Sequence, residues 1–517
     1  MSNVLIIDVG TQSMRGIIFD DKGNLLIKHQ IKYEPYISKK DGYMEQRADM
    51  YWETLCEITR ALSDREPQLL NSVVGMSVDT FRDTAVLLDE NMNVLRDCIL
   101  WSDQRVADTS QKLPALQRTL FGLVGMKRPI RAIREKVKTR WIQQNEPQLW
   151  QKVHKVAHIS AYINYKLTGN LIDSYASNIG HFPFDNKTKK WMTEKSLLYP
   201  VFDLPLSMMI PLCNPGDVMG QITEEAAALS GLPVGLKVYA SGSDKSCETL
   251  GVGCIEKNVA SVSFGTSSSV QFSTKKYFEP EPFMPSYVSV LKDYHNPEVQ
   301  IFRGYWMISW FKQNFARHLE QRAAQEKRSV EEIMNDEMVN IPAGCDGLVL
   351  QPFWQAGLTT PEAKGAIIGF SDFHTRAHVY RAIVEGIDFA LREGLERMEK
   401  RGKRKIEFVA VAGGGSQSDV ICQIAADILR RPVKRVQTYE TSALGAAMVT
   451  FMATGHYKNE FEARDAMVHY TDTFTPNPKN VAIYDNIYKN IYLKLYNSLQ
   501  KFYLELDKEK AKREDKK

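Results

Sequence analysis

No stretch of this chain stays apolar for the 18 or so residues that a membrane-spanning helix needs. Its start carries no positive-then-apolar leader; the chain enters a strand-like run by Val4. Neither a membrane span nor export is expected, and the expected location is the cytoplasm. The seven cysteines are odd in number and scattered, at Cys56, Cys98, Cys213, Cys247, Cys254, Cys345 and Cys422. With no CxxC and no Cys/His ligand spacing, neither a disulfide framework nor structural zinc is expected. Charge of one sign is also missing: 66 Lys and Arg against 62 Asp and Glu leave a net +4. Nucleic-acid binding wants a basic face or stripe, so it is not expected. Two nucleotide fingerprints are absent after the first strand, GxxxxGK[ST] and GxGxxG, which excludes a P-loop and a dinucleotide fold.

What is present is an ordinary globular balance, 44% hydrophobic and 25% charged, over 517 residues. That length exceeds what one core organises, so two domains are expected. The opening "VLIIDVGTQSMRGIIFD" runs four apolar residues into Asp8, then a small hydroxyl-rich turn, then a second apolar run. Asp20 to Asn24 then separates two apolar runs, which signals a hairpin. Residues 50–62 repeat apolar positions at helical spacing: Trp52, Leu55, Ile58, Thr59 and Leu62. Residues 105–235 read as mostly helical, with loops at 127–129 and 185–190. Helices are expected over 303–322 and 377–400. The charged end, 508–517, reads as a frayed helix terminus.

Three turns carry the chemistry. The first follows Asp8. The second, in "SVSFGTSSSVQF", repeats its plan of strand, Gly-Thr, small hydroxyl residues and strand. Two such hairpins read either as a duplicated domain whose copies face each other or as chance likeness of two strand–turn–strand units. The third, "AGGGSQSD", puts Gly413, Gly414 and Gly415 between a strand and a helix, where a nucleotide can approach backbone. Glycine admits close approach, N–H groups converge on phosphate oxygens, and hydroxyls add donors. A carboxylate beside such a turn can hold Mg²⁺, usually through water.

At this point the chain resembles the FGGY carbohydrate kinases, which share the fold of hexokinase and actin, over residues 4–455. The C-terminal signature of that family is matched in "GAIIGFSDFHTRAHVYRAIVEG" by Gly365, Gly369, His378, Ala382 and Glu385, with Phe370 where an aliphatic residue is usual. The other signature is degraded: "EKVKTRW" keeps Lys138 and Trp141 but has Glu135 and Thr139 at the remaining positions. The resemblance implies an α/β fold of two duplicated RNase H-like domains with a cleft between them. Residues 1–245 would bind the sugar and 246–517 the nucleotide. It makes Asp8 the Mg²⁺-linked carboxylate and sets Thr11, Gln12 and Arg15 near the γ-phosphate of ATP. Gly265 and Thr266 become the second phosphate turn. Gly414, Gly415 and Ser418 border adenine and ribose, and Asp244 is the catalytic base.

A sugar-facing role falls on Arg82, Asp83, Trp101 and Asp103 by the same resemblance, in "DTFRDTAVLLDENMNVLRDCILWSDQR". Xylulokinases generally carry Met-His where Arg82 and Asp83 stand, and glycerol kinases carry Arg-Glu; "ILWSDQR" is again xylulokinase-like. Lys245 replaces the usual Asn or Gln. It is expected to contact substrate, or to pair with Asp244 or Asp83. The expected partner is a small pentulose or polyol, with a homodimer left open. Two rival functions are a catalytically dead sugar sensor and a non-sugar ATPase of the same fold.

Overall fold

The computed structural model describes residues 2–34, 36–281, 284–357 and 360–514. The first apolar run is a strand because it is buried along its whole length and rich in β-branched residues. This strand, β1 (Asn3–Val9), pairs antiparallel with β2 (Ser13–Asp20), which pairs antiparallel with β3 (Leu25–Lys32). On its other side β1 runs parallel to β4 (Val73–Thr80). β5 (Val218–Gln221) and β6 (Lys237–Tyr239) complete six strands in the order β5-β6-β4-β1-β2-β3.

The second half repeats this plan. β7 (Val259–Phe264), β8 (Ser268–Gln271), β9 (Glu298–Ile301), β10 (Phe408–Ala412), β11 (Val433–Val436) and β12 (Tyr470–Phe474) lie in the order β9-β8-β7-β10-β11-β12. Read from β3 or from β9, the pairings run antiparallel, antiparallel, parallel, parallel, antiparallel in both sheets. The duplication implied by the two Gly-Thr hairpins is therefore present strand for strand.

Helices cover the sheets: α1 (Ala48–Arg65), α2 (Asp244–Gly251), α3 (Arg376–Gly402), α4 (Asp419–Leu429) and α5 (Thr441–Ala453). α1 buries the expected stripe, Trp52, Leu55, Ile58, Thr59 and Leu62. α5 lies in sequence between β11 and β12 of the second sheet but packs on the first. Its Ala443, Leu444, Ala447 and Phe451 share a core with Val4, Ile6, Ile17 and Phe19. α5 also crosses α2 so closely that glycine is required on both. A Cβ at Gly251 would strike the Thr441 carbonyl, and one at Gly445 the Cys247 carbonyl, each nearer than real Cβ contacts come. Backbone cannot yield there as a flexible side chain would. Gly445→Val should therefore cost about 1–3 kcal/mol or more, read as a lower thermal midpoint. An unchanged midpoint would mean that the crossing is looser than described.

Two expectations need correction. Residues 127–129 are not a loop; a helix runs from Lys127 to Lys136, with Pro129 in its first turn, where a missing N–H costs nothing. Residues 105–235 are mixed, with short strands such as Lys155–His158 among the helices. The charged end continues a helix, Leu493–Glu514; residues 515–517 lie outside the described residues. Among the described residues no helix is long and apolar enough to cross a membrane.

Candidate active site

The first turn closes with the Gly10 N–H donating to the Ser13 carbonyl at 2.9 Å, and the Tyr33 hydroxyl donates to the Gly10 carbonyl. Thr11 and Gln12 sit at its tip, less buried than the strands they join. Asp8 is buried and accepts from Arg15 Nη1 at 2.6 Å; Arg15 Nε also lies 3.4 Å from Glu440. Trp101, expected on the sugar side, donates its indole N–H to Thr11 Oγ1 at 3.1 Å. It therefore links the loop expected to face the sugar to the first Gly-Thr turn.

A residue that the sequence reading missed stands beside Asp8. Asp79 lies opposite it in the β1/β4 register and is wholly buried, and neither carboxyl oxygen has a hydrogen-bond partner. Burial, and then the charge of Asp8, push its carboxyl well above the usual range. The signal was available: "GMSVDT" ends a buried strand on a carboxylate just as "LIIDV" does.

One residue beyond Asp79, Thr80 bridges Ser243, which leads into α2. Ser243 caps this helix by accepting from the Ser246 N–H. Asp244 is then the first helical residue and is not consumed as a cap. Its Oδ1 accepts from the Lys245 N–H at 2.7 Å. Burial pushes its pKa up to about 6, against the opposing charges of Arg82 and Lys245. A carboxylate with that pKa accepts protons near neutral pH.

Lys245 bonds neither expected carboxylate partner through its ammonium. Nζ donates to Glu248 Oε1 at 3.1 Å and to Ser263 Oγ. It lies 3.7 Å from where a Gly265 Cβ would be, beside the second Gly-Thr turn. Gly265 and the exposed Thr266 form that turn, and their carbonyls accept from the N–H groups of Tyr305 and Trp306. The third turn abuts the second: a Cβ on Gly413 would press on the Phe264 and Gly265 backbone. Gly413, at φ +79°, opens a short 3₁₀ turn, Gly414–Gln417. Gly414 faces open space, Gly415 packs on the Tyr305 ring, and Ser418 caps α4 by accepting from the Ile421 N–H. The second and third turns and Lys245 thus meet at one place. Asp79 feels the charges of both Asp8 and Asp244, and the Thr80–Ser243 bridge joins its strand to the start of α2.

The residues expected to face the sugar divide three ways. Arg82 reaches across to the other half of the chain, where Nη1 pairs with Glu298 Oε2 at 2.5 Å. Its Nε donates to Ser243 Oγ at 3.3 Å, its guanidinium lies over the Tyr287 ring, and Nη2 is left without a partner. Asp83 does not pair with Arg82. It sits in the left-handed region at φ +57°, strained for a non-glycine residue. Its oxygens take the His181 N–H at 2.7 Å and His181 Nδ1 at 2.6 Å. Burial opposes it, but His181 and Lys138 hold its carboxyl below the ordinary range. Asp103 offers no free oxygen: its side chain is 0% exposed, paired with Arg105 at 2.8 Å and bonded to the Met44 N–H. It fastens the loop from beneath. Glu298 and His181, both missed, are partners that only the folded chain brings near.

The chain matches known proteins along nearly its whole length. The N-terminal domain model of the FGGY family of carbohydrate kinases matches residues 3–251, and its C-terminal domain model matches residues 260–454. A xylulose kinase of Lactococcus lactis subsp. lactis is 30% identical over 507 residues, covering 94% of this chain and 95% of that protein. The uncharacterised sugar kinase YgcE of Escherichia coli is 27% identical, covering 93% and 91%. The crystal structure of a xylulose kinase from Rhodospirillum rubrum superposes with a TM-score of 0.80 at 25% identity, covering 97% and 99%. With both domain models matched in order along one chain that repeats its sheet, this protein belongs to the FGGY family of carbohydrate kinases.

Proposed function

We propose that the protein transfers the γ-phosphate of ATP to a hydroxyl of a small pentulose or polyol, with residues 1–245 holding the sugar and 246–517 the nucleotide. The observation that carries this reading is Asp244. It is a half-buried carboxylate free of capping duty, with a raised proton affinity, within reach of the Arg82 charge and next to Lys245, whose ammonium lies at the second Gly-Thr turn. A sugar hydroxyl needs a base at the moment it attacks phosphorus. Asp244 would take that proton. Thr11, Gln12 and Arg15 on one side, with Gly265 and Thr266 on the other, would orient the phosphates. Gly414, Gly415 and Ser418 would border the nucleoside.

Mg²⁺ fits the donors present. They are all oxygen, from Asp8 with the two orphaned Asp79 oxygens beside it in register, as a hard cation prefers. Asp8 would hold the ion, which when bound offsets phosphate charge.

On the sugar side, Arg82 Nη2 is an unused donor and Asp83 a strained, ionised acceptor. Such a pair suits adjacent hydroxyls of an extended substrate, and a site built to bond hydroxyls rejects analogues that lack them. The dead-sensor alternative is disfavoured because Asp8 and Asp244 are both retained.

The test is ATP consumption across D-xylulose, other pentuloses, glycerol, erythritol and larger polyols. A polyol or a ketose other than D-xylulose should give the highest kcat/KM, and consumption without sugar should be slow. A clear win for D-xylulose would replace this reading with a xylulokinase one. Fast consumption without any sugar would favour a non-sugar ATPase.

A further inference from the structure

We infer that Lys245 belongs to the nucleotide side of the cleft, where its ammonium binds the terminal phosphate against the second Gly-Thr turn. The inference rests on the kinase reading above and moves Lys245 away from the sugar.

Four observations carry it. First, direction: the side chain leaves α2 toward β7 and ends 3.7 Å from the position of a Gly265 Cβ, on the phosphate turn. Its only hydrogen-bond partners among the described residues are Glu248 and Ser263. Neither belongs to the sugar-facing loop. Second, donors: an ammonium has three N–H bonds. Glu248 Oε1 and Ser263 take two, and Glu248 Oε2 lies at the 3.5 Å limit of a hydrogen bond, so the third is weakly held and can turn to a phosphate oxygen. Third, charge: a triphosphate carries more negative charge than one cation offsets, and Arg15 beside the first turn is shared with Asp8 and Glu440. Fourth, the duplication: the first Gly-Thr turn has Arg15 beside it on β2, and the second has no cation on β8, whose residues are Ser268–Gln271. Lys245 instead supplies a cation at that turn from α2.

A simple helix-stabilising pair with Glu248, three residues on, is the plain alternative. Such pairs contribute a few tenths of a kcal/mol on exposed surfaces. This one is not on the surface: the two side chains are 14% and 8% exposed. Ser263 closes a triangle with it by donating to Glu248 Oε2 at 3.1 Å. The triangle holds the ammonium in place before any nucleotide arrives, which lowers the cost of ordering it on binding.

The experiment is equilibrium titration of sugar-free protein with Mg²⁺ and a non-hydrolysable ATP analogue, ADP or adenosine. Lys245→Gln should weaken the ATP analogue about tenfold or more, one charge-assisted bond's worth. ADP should weaken less, adenosine not at all, and binding of the best sugar should stay unchanged. Glu248→Gln frees the ammonium from its counter-ion and should tighten the ATP analogue. If Lys245→Gln fails to fold, acylation of Lys245 in the wild-type protein decides. The ATP analogue should block it and sugar should not. Equal ATP-analogue binding by wild type and Lys245→Gln overturns the inference, as does a loss confined to sugar or protection by sugar alone. A wild-type protein that binds no nucleotide would instead overturn the kinase reading itself.

Discussion

Replacing Asp244 with Asn should lower kcat by about 10²–10⁴-fold, the usual contribution of a positioned general base, with MgATP affinity near that of wild type. The amide keeps the carboxylate's shape, and its oxygen can still accept from the Lys245 N–H. No helix cap is lost, because Ser243 supplies it. What disappears is the ability to take a proton. In the wild-type protein kcat/KM should rise with pH through about 6, where Asp244 ionises, and then level off. In the variant that limb should vanish. Stability should move the other way. The folded-state pKa of Asp244 lies above the ordinary 3.8, so the folded protein holds the proton more tightly than the unfolded chain does. Folding is therefore favoured at low pH and loses ground as pH rises through that window. Above pH 6 the full cost is present, up to about 3 kcal/mol at 1.36 kcal/mol per unit. Asp244→Asn should melt higher than wild type at pH 8, with the gap closing toward pH 4. Near-normal turnover, or an unchanged acidic limb in the variant, would remove Asp244 from the mechanism.

The parts of this site that could be read in the sequence are those where local pattern and chemistry coincide. A buried strand that runs into a carboxylate and a Gly-Thr turn is unusual wherever the fold puts it, and Asp8 was visible for that reason. Asp79 obeys the same rule but is followed by Thr80 and Phe81 rather than glycine, so no turn drew the eye. Ser243 and Asp244 are both good cap residues; only the backbone shows that Ser243 has the role. The pairing of Asp103 is hidden because the sequence cannot show Arg105, two residues on, folding back onto it. Glu298 was out of reach of any local argument. It becomes a partner of Arg82 only because the two sheets, far apart in sequence, close on one cleft.

That last pairing sets up the second large effect. Arg82→Ala should reduce kcat/KM for the true sugar by ten- to a hundredfold, at about 1.5–3 kcal/mol for a lost charge-assisted bond. It should also destabilise the protein. Glu298 has a side chain 1% exposed, and Arg82 is its cation. Without Arg82 its remaining hydrogen bond is from Gln271 Nε2, at 3.1 Å. An ionised carboxylate left buried without its partner typically costs about 3–5 kcal/mol. The two losses separate cleanly. Adding Glu298→Gln removes the stranded charge while keeping the bond to Gln271, so the double variant should regain most of its thermal midpoint. It should regain none of its kcat/KM, because the donor fork is still missing. Arg82 is also the first of the charges that lower the pKa of Asp244. The acidic limb of the pH profile should therefore move to higher pH in Arg82→Ala, a shift that loosened packing alone would not produce. Sugar turnover by Arg82→Ala equal to wild type would take Arg82 out of the pocket. A double variant that melts no higher than Arg82→Ala would mean that the stranded carboxylate is not the source of the instability.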